Sequence, residues 1–223
     1  MFRFSFPSLP RAAFSLILAL CATGATAGSA ASVEALLADD AAQRLHANPG
    51  QLQPKPITDL SLVPASRAVI PVGTVQPLAI LHPQAGIREH ADLRGKTVCL
   101  VEQGGYGGLM NARFGAIEQP HSSLAGALLA LRSGDCLAVV HDDNVLQELV
   151  KLPQWQSFAS LLPVGQPRTL AFVVPAAEVE TVAGLKQAAL EWQASARPAM
   201  LARQVASGLT EEVRIALQRG ASN

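Results

Sequence analysis

The chain has 223 residues, with 17 basic and 17 acidic side chains, and is 49% hydrophobic but only 4% aromatic. A net charge of zero excludes the basic footprint of a nucleic-acid binder. Abundant Ala, Leu and Val with few aromatics favour a helix-rich α/β protein over a β-sandwich.

The first elements in chain order concern targeting. Arg3 and Arg11 precede the apolar run from Ala12 to Ala22, and Ala25-Thr26-Ala27 offers small residues where a signal peptidase reads. Residues 1–27 are therefore expected to be a cleaved signal peptide, the run being too short to span a bilayer. Cys21 raises a lipoprotein anchor, but the bulky Leu20 before it argues against one. Cleavage would remove two Arg and no acid, leaving a mature charge of 15 − 17, about −2. An exported, soluble protein is the expectation.

Ser32 to Leu45 patterns as a helix with Val33, Leu36, Leu37, Ala41 and Leu45 on one face. Asn48 to Ser66 is rich in Pro and Gln and reads as loop, with a short strand near Leu60–Val63. Arg67 to Leu81 gives two extended runs broken near the Gly73–Thr74 turn.

The stretch from Ala91 to Asp143 is the most informative. Turn signals (Arg94-Gly95-Lys96 and Ser133-Gly134-Asp135) precede two apolar runs, Thr97–Val101 and Leu137–His141. Between them lie a helix over 107–114, a short strand near 116–118 and a helix over 124–132, for which Ser122 or Ser123 is the cap. A helix over 144–152 follows, stopped by Pro153. Leu170–Val174 is a last apolar run, followed by helices over 179–192 and 211–219, the latter capped by Thr210.

Two groups at the ends of these runs can do chemistry. In Gly104-Gly105-Tyr106-Gly107-Gly108, bare backbone amides at a helix N-terminus suit an anion. The spacing fits neither the nucleotide P-loop nor the dinucleotide fingerprint, and a simple tight turn is the plain alternative. Asp142 and Asp143 can hold a cation, Asp142 being assigned to a ligand and Asp143 to capping the next helix. An acid/base centre formed with His141 is a further alternative. An anion cradle beside a carboxylate suits a zwitterion such as an amino acid. With Cys21 removed, Cys99 and Cys136 form an even pair in an exported chain and read as a disulfide, worth roughly 3–4 kcal/mol. Two buried thiols are the alternative; no His stands at metal-ligand spacing from either.

Four blocks in order carry a resemblance. They are Gly95-Lys96-Thr97-Val98-Cys99-Leu100-Val101, Gly104-Gly105-Tyr106, Gly134-Asp135-Cys136-Leu137-Ala138 running to Asp142-Asp143, and Trp155-Gln156-Ser157-Phe158 with Leu162-Pro163. Over Arg67 to Trp192 the chain resembles the family 3 periplasmic solute-binding proteins of amino-acid ABC transporters. The resemblance implies an α/β, periplasmic-binding-protein-like (type II) fold, with two lobes closing on a ligand and a Cys99–Cys136 disulfide. Residues 28–83 would open lobe 1, 84–173 would form a complete lobe 2, and 174–223 would be C-terminal helices returning to lobe 1.

By resemblance, Gly104, Gly105 and Tyr106 would meet a ligand α-carboxylate and Asp142 its α-amino group. Arg67, in Pro64-Ala65-Ser66-Arg67-Ala68, would pair with the carboxylate. The implied role is solute binding without catalysis, cofactor or metal, in a periplasmic monomer that serves an inner-membrane permease. The opening strand and helix of such proteins have no room between Gly28 and Asp59, so lobe 1 is expected to be reduced. That reduction raises the alternative of a non-transporting sensory or interaction accessory. A dehydratase-like enzyme using Asp142, Asp143 and His141 is a third reading.

Overall fold

A computed structural model describes residues 32–220; the expected signal peptide lies outside them. Fourteen main elements follow in order: α1 (Val33–Leu45), β1 (Lys55–Ile57), β2 (Arg67–Val75), β3 (Pro77–Leu81), β4 (Thr97–Val101), α2 (Leu109–Phe114), β5 (Ile117–His121), α3 (Leu124–Ser133), β6 (Ala138–Asp142), α4 (Asp143–Leu149), β7 (Leu161–Pro163), β8 (Arg168–Pro175), α5 (Val179–Ala194) and α6 (Arg197–Gly220). They build two sheets. The larger has the order β5-β4-β6-β3-β7 and the smaller β1-β8-β2.

The larger sheet is a βαβαβ unit with parallel β5-β4-β6 pairing, extended by β3, antiparallel to β6, and by β7, antiparallel in turn to β3. Both ends of α3 carry their expected signals: Ser123 Oγ accepts from Gly126 N, and Gly134 ends the helix at φ 83°. Cys99 on β4 and Cys136, just before the adjacent β6, are joined by a disulfide with Cα atoms 5.8 Å apart. This lobe is complete, whereas the other sheet has three strands.

In the smaller sheet the alternation of an extended chain divides the faces. Ile70, Val72, Leu170, Phe172 and Val174 are buried in the main core with Leu37, Ala41 and Trp192. Asp40 ties three helices together. Its carboxylate accepts from Trp192 Nε1 at 2.7 Å, Arg197 at 2.8 Å and Arg44 at 2.9 Å, linking α1, α5 and α6. Burial raises the Asp40 carboxyl, but the Trp192 and Arg44 hydrogen bonds and the guanidinium charges outweigh it, so it ionises below its ordinary value.

Several expectations are corrected. Leu60–Leu62 is a 3-10 turn rather than a strand, because Asp59 accepts from Ser61 N and winds the chain; the strand lies earlier, at Lys55–Ile57. The break expected at Gly73–Thr74 is only a register shift within β2, and the two runs separate at Gln76. Thr210 caps nothing: α6 is one helix of 24 residues running through it. The Thr210 hydroxyl instead donates to Ala206 O and accepts from Trp155 Nε1 at 2.9 Å. Leu201, Val205, Leu209 and Val213, at i, i+4 spacing, are buried against α3 and α4 of the larger sheet. The C-terminal helices are thus divided: α5 packs on β2, and α6 lies chiefly on the other lobe. No described helix is long and apolar enough to cross a membrane.

Candidate functional site

The βα loop after β4 and the end of β6 converge, as the adjacent pairing of these strands requires. Gly104 N donates to Val101 O at 3.0 Å, and a Cβ at Gly104 would lie 2.7 Å from the Tyr106 ring, so only glycine permits this turn. Gly105 takes φ 70°. Tyr106 thereby folds inward and is buried. Asp142, at the end of β6, is also buried. The structure therefore brings Gly104, Gly105, Tyr106 and Asp142 into one cluster.

A fifth residue completes it. Arg168, the first residue of β8, lies opposite Val75 in the smaller sheet. Its Nη2 donates to Asp142 Oδ1 at 2.7 Å, and its guanidinium sits 5.2 Å from the Tyr106 ring centre. The two side chains of this ion pair are only 12% and 6% exposed, so the pair is a desolvated bond between the lobes rather than a surface bridge. Burial, then the Asp142 charge, pushes the Tyr106 phenol above its ordinary range, so it stays protonated. His141, its ring 6.0 Å from Tyr106, is pushed down by burial and is neutral at pH 7. His141 Nδ1 and Arg168 Nε are buried without a hydrogen-bond partner.

The anion cradle is also occupied from within. Glu118, on β5, accepts from Gly108 N at 2.7 Å, Met110 N at 2.8 Å and Asn111 N at 3.0 Å. A carboxylate of the chain itself thus sits on the N-terminal amides of α2. Charge-assisted bonds of this kind contribute about 1.5–3 kcal/mol each at most. Glu118→Ala is expected to lower stability by about 1–3 kcal/mol in urea denaturation, with faster hydrogen exchange at Met110 and Asn111. An unchanged midpoint would remove Glu118 from this role.

Asp143 does not cap α4. Its carboxylate accepts from Gln76 N and its own N–H donates to Gln76 O, both at 2.9 Å, which braces the joint between β2 and β3. Arg67 does not join the cluster. It pairs with Pro175 at the far end of β2, eight positions from Val75, about 26 Å along the strand from Arg168. The turn expected to carry it toward the ligand is absorbed into a long strand. Sequence reading missed Arg168 and Glu118, because neither stands in a motif: Arg168 is a lone charge at the start of an apolar strand, and Glu118 lies in a short, mostly polar one.

His121 Nε2 lies 2.9 Å from Cys99 Sγ, and Cys99, His121 and Cys136 have their ligand atoms within 4.8 Å of one another. The two sulfurs are bonded to each other, so neither is available as a thiolate ligand.

No protein-family model and no curated protein matches the sequence. Solved structures do match by shape. The GluR0 ligand-binding core in complex with L-glutamate is 14% identical with a TM-score of 0.57, over 78% of this chain and 89% of that one. The substrate-binding protein of an amino-acid ABC transporter is 13% identical, TM-score 0.57, over 76% and 85%. An arginine transport-system periplasmic binding protein from Legionella pneumophila is 14% identical, TM-score 0.54, over 79% and 89%. The chain has this periplasmic-binding-protein-like fold, with a five-stranded lobe and a reduced three-stranded one.

Proposed function

We propose that the chain is an exported, non-catalytic binding protein that acts as an interaction accessory rather than a carrier of free amino acids. The observation that carries this reading is the buried Asp142–Arg168 pair. A ligand ammonium at Asp142 would compete with Arg168 for a carboxylate whose charge is already paired, and displacing the guanidinium would leave it buried without a counter-charge, a loss of about 3–5 kcal/mol. At about 1.4 kcal/mol per tenfold, that weakens binding by two to four powers of ten. Glu118 opposes a ligand carboxylate in the same way at the α2 amides.

On this reading the protein works in the periplasm, in contact with a protein partner and without a cofactor. On it, α1, β1, β2, β8 and α5 form the reduced lobe, and the segment from β3 to β7 forms the complete one. A solute-binding role beside a permease is the second reading. It is favoured by Gly105 and Tyr106 standing beside Asp142, and by neighbours whose names give amino-acid ligands. Titration calorimetry of the folded protein against the common amino acids separates the two. Silence at millimolar ligand is expected; a micromolar dissociation constant for any of them would restore the solute carrier, with Gly104, Gly105, Tyr106 and Asp142 as its site.

A further inference from the structure

The face of the smaller sheet opposite the core carries a feature that the Asp142 cluster does not use. Alternation places Lys55, Ile57, Val69, Val173 and Arg67 on that face. There Lys55, Ile57, Arg67 and Val173 border a hollow of about 590 Å³, which Val63 and Leu62 also line, Leu62 being 79% exposed. That volume is in the range that holds a ligand or an anchoring side chain. The only acid on its rim is Asp59, whose carboxylate is turned to Ser61. Lys55 and Arg67 both line it and make no side-chain hydrogen bond or ion pair among the described residues. A second hollow of about 530 Å³ continues past the same two cations toward Glu178 and Thr181. Beside it β1, three residues long, is an edge strand.

We infer that this hollow is a docking site for an acidic peptide segment of a partner protein, one that places an aliphatic side chain between carboxylates. The aliphatic anchor fills the space over Ile57, Val63 and Val173. The flanking carboxylates pair with Lys55 and Arg67, a bidentate fork being available at Arg67. The chemistry that made Arg67 a candidate for a carboxylate is thereby kept, but its carboxylate belongs to a macromolecule and not to a free amino acid. The inference rests on the accessory reading and identifies the surface that reading needs.

The test uses the whole chain and two fluorescein-labelled short peptides, one alternating valine with glutamate and one alternating valine with lysine, followed by anisotropy at low and high salt. The acidic peptide is expected to bind about tenfold or more tightly than the basic one, with affinity falling as salt rises. Lys55→Glu with Arg67→Glu, both at exposed positions, should abolish the acidic preference and create a basic one, with the melting profile unchanged. Leu62→Asp should weaken the acidic peptide without altering the fold. Equal binding of both peptides, binding of neither, or an acidic preference that survives the double reversal overturns the proposal. None of these outcomes depends on the amino-acid titration, so the two claims fail separately.

Discussion

Arg168→Ala is expected to lower the unfolding free energy by about 3–5 kcal/mol, because it leaves the Asp142 carboxylate buried without its partner. For a domain of this size that corresponds to a fall in melting temperature of roughly 6–20 °C. The double replacement Arg168→Met with Asp142→Leu removes both charges and keeps volume, so most of that loss should be recovered. A double-mutant cycle in urea measures the coupling. Additive losses would mean that the pair is not bonded in solution and that Asp142 is open to a ligand. The same cycle therefore bears on function: Asp142 is either a latch between the lobes or a binding group, and the coupling energy distinguishes them.

The second large effect lies in the disulfide. Cys99 and Cys136 are separated by 37 positions, and cross-linking a loop of that length stabilises by about 4 kcal/mol on the chain-entropy argument. Both positions are fully buried, so alanine is the suitable replacement, since a serine hydroxyl would add its own desolvation cost. Cys99→Ala with Cys136→Ala should melt roughly 8–16 °C lower than the oxidised protein, and reduction by a phosphine should reproduce most of the shift. A change below about 1 kcal/mol would show that the neighbouring β4 and β6 hold this region without the cross-link.

The larger lobe was legible along the chain because its signals are local. Glycine turns, serine caps and alternating apolar runs each act within a few residues, and Thr97–Val101 and Ala138–Asp142 sit within one position of where the pattern puts them. Elsewhere local signals misled. Thr210 has the chemistry of a helix cap, but the apolar stripe from Leu201 to Val213 continues past it, and burial of that stripe outweighs one capping bond. Arg67 has the chemistry of a carboxylate ligand, but the ladder with β8 draws Arg67 through Val75 into one strand and carries it from the cluster.

By itself the sequence determined the β-α order from Thr97 to Asp142 and offered Cys99 and Cys136 as a pair, and the family resemblance added one complete lobe and one reduced lobe. It also marked the loop at Gly104–Tyr106 and the strand end at Asp142 as places where charge would be held. Only the tertiary structure decided which charges those are. Arg168 is 26 positions from Asp142 along the chain, and its guanidinium is 2.7 Å from it in space. Glu118 reaches back across the α2–β5 turn to the amides of α2. Local pattern records where a backbone needs glycine or a strand ends. It does not record which distant side chain a buried carboxylate meets, because that partner is set by how two sheets pack, and a buried charge takes the counter-charge that packing brings to it.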